Sequence, residues 1–373
     1  MPLTDLAPVS TATGPFATAY LDTTHTTPDA DTLIDGRWRA QRARLAEQGA
    51  DEATLAAMDE VVGFDPQHPG PQGQAVVAAG GTVLLVEHLP APPRREVARW
   101  STVPHLMPLV VQRASVVPHV VVVADRIGAE VTAYGPGGGQ AHEEVEGSDL
   151  YIRKVQAGGW SQRRYQDTAE EMWKHNADQV AQRVDALVKE TGARLVVAAG
   201  DTRALVALED HLGEAAKAVL VRVEEGGRAE GADREGLQRH VERLVAEVAA
   251  HEELALLDRF REQRGRMSRA VEGLAGVVEA ARKAQIDTVL LVDRPDSTAT
   301  LWAGPEPLAL GTSAEEVRAL GVDEPFEDRA DALLVRALAG SDASLVVVPG
   351  EEEPLLDGVG AVLRYADAST SRS

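Results

Sequence analysis

The stretch YIRKVQAGGWSQRRYQ, Tyr151 to Gln166, gathers Arg153, Lys154, Arg163 and Arg164 with no carboxylate, inside a chain of formal net charge −22. These residue types suit contact with a polyanion. Guanidinium groups hold phosphate oxygens through two N–H bonds at once. Gly158 and Gly159 let the backbone take conformations closed to other residues and approach a partner closely. Trp160 and Tyr165 offer faces on which an unpaired base can stack, and Ser161 and Gln162 complete the candidate contact set. The same tract could instead cap a helix, with Trp160 packed against it and the arginines merely solvated. A second glycine run, GPGGGQ (residues 135–140), is followed by Glu143, Glu144 and Glu146. Carboxylates there would be repelled by phosphates, so this run reads as a flexible, acidic turn.

Other chemistries lack their residues. The chain has no cysteine, which removes disulfides, thiolate zinc sites and a cysteine nucleophile. His105, His119 and the pair His25 and Asp22 show no HxxxH or HxH spacing, and they read as ordinary core or surface residues rather than metal ligands. No metal or cofactor is expected. No GxSxG elbow is present. VVAAGDTRAL (residues 196–205) lacks the glycine pattern and lysine of a P-loop and reads as a plain turn from strand to helix.

The elements that must carry these residues are legible in outline. A length of 373 residues suggests two or three domains of about 100–150 residues, and hydrophobic residues at 44% with charged residues at 26% describe a folded protein. Residues 1–115 read as an N-terminal α/β domain, with a strand at 17–24, helices at 31–48 and 51–62, and a strand pair turning at Gly80-Gly81. Residues 116–268 read as a mixed-sheet central domain: a hairpin, a returning strand in SDLYIRKVQ, the glycine loop, a long helix, a βαβ unit and a further helix at 233–260. Residues 269–373 alternate helix and strand as an αβα C-terminal domain. The fold class is therefore α/β in three domains. No apolar run approaches the roughly 20 residues of a membrane span and no basic start precedes an apolar core, so a cytoplasmic protein without a membrane partner is expected. The acidic balance disfavours DNA and generic nucleic-acid binding; RNA would need a local cationic site, and residues 116–268 hold 20 of the 37 basic residues.

The order from hairpin through glycine loop and long helix to DTVLLVD resembles the central and C-terminal domains of the archaeal and eukaryotic class I release factor and Pelota superfamily. The ending GVGAVLRYA is similar to the glycine-rich close of that family's last domain. GGWSQRRYQDTAEEMWKHNADQVA resembles the superfamily's bacterial branch in actinobacteria, to which the ribosome hibernation factor Balon is related. The resemblance covers residues 116–366. In the family a GGQ tripeptide enters the ribosomal peptidyl transferase centre, and by position its counterpart is Gly158-Gly159-Trp160, not the literal Gly138-Gly139-Gln140. An indole donates one hydrogen bond and accepts none, so Trp160 cannot position water as an amide does, and no catalytic residue is assigned. The resemblance implies a ribosome-binding factor in the A site, touching rRNA or tRNA through Arg153, Lys154 and residues 158–165, with an elongation-factor GTPase as a possible further partner. Two rivals stay open. One is a peptidyl-tRNA hydrolase or rescue factor relying on the displaced Gln162, and the other an interaction protein whose acidic C-terminal domain binds another factor. A stop-codon motif of the NIKS type is absent from residues 1–115, which speaks against codon reading.

Overall fold

Alternation along FATAYLD governs the first sheet. The computed structural model describes residues 3–63, 71–114, 116–136, 140–146, 161–228, 232–266, 268–348 and 354–367. After a short helix α1 (Ala7–Ser10), strand β1 (Phe16–Asp22) is buried on both faces. Because successive side chains leave a strand on opposite sides, Ala17, Ala19 and Leu21 meet one core, and Phe16 and Tyr20 another. Helices α2 (Ala30–Glu47) and α3 (Glu52–Asp59) cover the first face with Trp38, Leu45, Leu55 and Met58. In α2 the buried Ile34, Trp38, Gln41 and Leu45 keep helical spacing, so the arginines that interrupt its apolar pattern lie outside. Strands β2 (Gly73–Ala79), β3 (Thr82–Leu89) and β4 (Val97–Ser101) complete an antiparallel sheet of order β3-β2-β1-β4. Gly80 and Gly81 turn the β2–β3 hairpin at φ 55° and 77°, the left-handed pair that matches strand twist. Helix α4 (Met107–Ala114) closes the segment.

Val116–Glu252 forms one compact unit. Its five-stranded sheet has the order β7-β6-β5-β8-β9, with β5 (His119–Ala124), β6 (Gly128–Tyr134), β7 (Gln140–Glu146), β8 (Leu195–Gly200) and β9 (Leu220–Arg222). The β5–β6 and β6–β7 pairs are antiparallel, whereas β5–β8 and β8–β9 are parallel. The 31-residue helix α5 (Ser161–Thr191) and α6 (Thr202–His211) pack on one face, where Val180, Ala181, Val184 and Leu187 meet Val120, Val122, Val131, Leu205 and Leu208. Helix α7 (Glu214–Ala218) leads to β9. On the other face Leu237 and Val241 of α8 (Arg234–Gly265) cover Leu195, Val197 and Ala199.

Met1–Ser115 and Glu253–Ser373 form the other unit. In its C-terminal part the sheet runs β10-β16-β11-β15, from β10 (Ala270–Glu272), β11 (Ile286–Val292), β15 (Ser344–Val348) and β16 (Val359–Leu363). Leu257 and Phe260 from the end of α8 pack on Leu290, Val348 and Val362. The opposite face of this sheet meets α9 (Gly273–Arg282) and α11 (Ala330–Ala339), giving αβα layers. A small sheet of β12 (Thr300–Ala303), β13 (Leu310–Gly311) and β14 (Phe326–Arg329) lies beside helix α10 (Ala314–Ala319). Leu333, Leu334 and Leu338 of α11 share their core with Leu3, Leu6, Phe16, Tyr20 and Val77. Arg336, 7% exposed, donates to the Ser10 and Gly304 carbonyls at 3.3 and 3.0 Å. The N-terminal segment and α11 thus share one core.

The chain is a multi-domain α/β protein with several sheets. Two details differ from the sequence reading: Gln140–Glu146 is a strand paired along β6, not part of a turn, and residues 270–272 are a strand before α9. The short elements β4, β12 to β14, α4 and α10 are not resolved by that reading. SDLYIRKVQ lies outside the described residues. No described helix is long and apolar enough to cross a membrane.

Candidate nucleic-acid interface

The sequence-predicted contact residues divide at the start of α5. Arg153, Lys154, Gly158, Gly159 and Trp160 lie outside the described residues, as do Gly137 to Gly139 of the other glycine run. Ser161, Gln162, Arg163, Arg164 and Tyr165 form the opening turn and a half of α5. The helix thus begins at the residue after the Gly-Gly-Trp tripeptide, and its 31 residues span about 46 Å at 1.5 Å per residue. Burial of Val180, Ala181, Val184 and Leu187 against β5 and β6 anchors its C-terminal half.

The carboxylates that follow the literal GGQ are held within the unit. Glu143 accepts two bonds from the Arg183 guanidinium of α5, at 2.6 and 2.5 Å, and that bonding holds its carboxyl below the usual range. Arg228, 14% exposed, reaches Glu144 at 2.6 Å and Asp125 at 3.1 Å. These arginines offset much of the repulsion that the bare sequence assigns to this strand.

A second cationic place, with no motif to announce it, opens at the C-terminal ends of the parallel strands β5 and β8. Gly200 ends β8 at φ +124°, and a Cβ there would sit 2.0 Å from the Ala124 carbonyl oxygen; only glycine lets the strands meet this closely. The chain then turns through Asp201, whose carboxylate caps α6 by accepting from Arg203 N and Ala204 N at 2.9 and 3.2 Å, and pairs with Arg126 at 3.2 Å. Burial works to raise the Asp201 pKa, but the two amides and the guanidinium outweigh it and the net direction is down. Asn176, buried on α5, donates to the Arg126 carbonyl at 3.2 Å. Between these elements lies a crevice of about 160 Å³ lined by Arg126, Lys174, Arg203 and Asn176 over an apolar wall that includes Val180 and Leu208. VVAAGDTRAL is the strand-to-helix turn that the sequence suggests, yet the cations gather there from three elements distant in sequence.

Three of the histidines make local contacts. His105 is buried at 8% exposure, and burial pushes its pKa down to about 4. His119 stacks on Tyr134 at 4.2 Å between ring centres, with Nδ1 2.7 Å from the Val117 carbonyl, and its pKa is lowered by burial. His25 lies 3.2 Å from Asp31. Among the described residues no three metal-ligating side chains cluster.

Residues 118–266 match the family model of bacterial archaeo-eukaryotic release factor family 2, and both cationic places lie within that segment. Over 362 residues the chain is 29% identical to an uncharacterized protein of Mycobacterium tuberculosis, covering 95% of this chain and 94% of that one. Among solved structures it is similar to a translation termination-like factor of S. cerevisiae involved in RNA quality control, at 12% identity and TM-score 0.42 over 81% of this chain and 82% of that one. An archaeal translation termination factor gives 16% identity and TM-score 0.26 over 97% and 95%.

Proposed function

We propose that the chain is a ribosome-binding translation factor, a hibernation factor that occupies the A site and reaches toward the peptidyl transferase centre without hydrolysing peptidyl-tRNA. The match of residues 118–266 to a release-factor family carries this reading, because that segment holds the cationic Gly-Gly-Trp tract and the helix that begins directly after it. Arg153, Lys154, Arg163 and Arg164 meet rRNA phosphates, Trp160 and Tyr165 stack on unpaired bases, and Gly158 and Gly159 bring the backbone close. Trp160 stands where hydrolysing relatives need an amide, so the tip blocks instead of cutting. An elongation-factor GTPase as delivery partner, a cytoplasmic location and a central domain of residues 116–268 belong to the same proposal.

Cosedimentation with purified ribosomes tests it. Arg163→Glu with Arg164→Glu should weaken association and flatten its salt dependence, each lost phosphate contact removing about 0.7–0.9 from the slope. Trp160→Ala should weaken binding roughly 5- to 150-fold, the equivalent of one stacking contact of about 1–3 kcal/mol. Peptide release should stay at background. A chain that never leaves the top of the gradient refutes the proposal, and stoichiometric peptide release that vanishes in Gln162→Ala would make it a hydrolase.

A further inference from the structure

We infer that the crevice at the C-terminal ends of β5 and β8 binds one nucleotide unit, its base against the apolar wall and its phosphate on the cations at the rim. Size sets the first limit. At about 160 Å³ the crevice is close to the ~150 Å³ apolar cavity known to hold a benzene ring, and well below the roughly 300–1,000 Å³ of a drug-sized pocket. The crevice itself has room for one six-membered ring, so the sugar and phosphate of a nucleotide would stay at its rim.

The lining sets the second. Ala177 and Val180 of α5 face Ala204, Ala207 and Leu208 of α6 across the crevice, and Arg126, Lys174 and Arg203 stand around it. The one carboxylate in the lining, Asp125, already accepts from Ile127 N, Gly128 N and Arg228 at 2.7, 2.9 and 3.1 Å. Asp201 at the edge is likewise bonded to two amides and to Arg126. With Asp125 held by Arg228 and Asp201 by Arg126, Lys174 and Arg203 are the lining cations that pair with no carboxylate among the described residues, although the chain carries −22, and a concave surface with low-dielectric walls concentrates the field of such a pair. An inorganic anion would use the rim alone and a neutral ring the wall alone. A nucleotide uses both.

Topology sets the third. In open α/β sheets ligands settle outside the carboxyl ends of parallel strands, where the chain changes direction. Here β5 has an antiparallel neighbour on one side and a parallel one on the other, and the crevice opens beside that change. Nothing in this inference depends on the Gly-Gly-Trp tract or on ribosome binding, so the isolated chain is the material for its test.

Calorimetry with the full chain would compare uridine monophosphate, uridine, inorganic phosphate and a ten-nucleotide oligouridine RNA. The nucleotide should bind at least tenfold tighter than uridine or inorganic phosphate. Lys174→Glu with Arg203→Glu, both at exposed positions, should weaken the nucleotide and the RNA at least tenfold and leave uridine little changed. Ala207→Trp, which fills the crevice from a half-buried position, should abolish binding of the nucleotide, with circular dichroism confirming that each variant folds. RNA binding tenfold tighter than the mononucleotide assigns the site to an RNA strand, and equal affinity assigns it to a free nucleotide. Nucleotide affinity unchanged in both variants, inorganic phosphate matching the nucleotide, or no binding of either nucleotide or RNA overturns the inference.

Discussion

Replacing Leu333 with alanine tests whether two segments more than 200 residues apart in sequence fold as one body. Leu333 lies at 0% exposure in the core that joins α11 to Leu3, Leu6, Phe16 and Tyr20. Buried leucine-to-alanine changes cost about 3–5 kcal/mol, the lost transfer energy plus the cavity left behind, against a total domain stability of about 5–15 kcal/mol. If the core is common, the loss belongs to the whole unit. Amides in its central strands exchange through global opening, so peptides covering β1 and β11 should both exchange faster by roughly 100- to 4,000-fold, at about 1.4 kcal/mol per factor of ten. Hydrogen exchange read by mass spectrometry resolves the two strands separately. Leu45→Ala, on the far face of β1, should transmit its loss to β11 in the same way. Acceleration in β11 and β15 with β1 and β2 unchanged would show that the shared core does not couple the segments, and would restore the picture of separate N- and C-terminal domains.

Two further outcomes follow from single positions. Gly200→Ala places a Cβ 2.0 Å from the Ala124 oxygen at φ +124°, and backbone strain alone costs about 1–3 kcal/mol; at about 4 °C per kcal/mol for a unit of this size, scanning calorimetry should show a central-unit Tm lower by at least roughly 4 °C, and a shift under 1 °C would refute the close approach. His105 is neutral in the fold because burial lowers its pKa from an ordinary value near 6.5 to about 4. The unfolded chain therefore takes up the proton first as pH falls. The contribution of the neutral side chain is fully present above about pH 6.5, declines between about 6.5 and 4, and is worth up to about 3 kcal/mol at 1.36 kcal/mol per unit. Urea midpoints measured across that window should fall in the wild type and less steeply in His105→Gln; equal slopes would remove His105 as the cause.

Elements with a clear local signal were legible. The Phe16–Asp22 strand reads as a β-prone run, the α2 helix shows through its length although arginines break its apolar spacing, and the hairpin is marked by Gly80-Gly81; each lies within a few residues of the expected bounds. Short elements were not. The half-buried strand VARWS pairs with β1 through Ala98 opposite Ala19, yet its sequence mixes charge and aromatic residues because only tertiary context decides what its faces meet. The common core was hidden for a related reason: β1 reads as one apolar run, and no sequence period says which distant helix covers its second face. Of the candidate interface, the tract of cations was visible as composition. The crevice was not, because Arg126, Lys174 and Arg203 come from a turn and two helices that meet only when the sheet forms.

Net charge is a poor guide to where such a chain can accept an anion, and pairing is the reason. The sequence assigns the acidic strand Gln140–Glu146 a repulsive role, but in the fold Arg183 binds Glu143 with two bonds and Arg228 bridges Glu144 to Asp125. Each of these carboxylates then presents a dipole instead of a full charge, and at an ionic strength of 0.15 M any residual field fades over about 8 Å. Lys174 and Arg203 are exposed at the rim of a concave, mostly apolar surface, whose low-dielectric wall focuses their field. A total of −22 sums charges without regard to such distances. What an approaching phosphate meets within one screening length is the local set: at the crevice Lys174 and Arg203 pair with no carboxylate among the described residues, while Glu143 and Glu144 are held by Arg183 and Arg228.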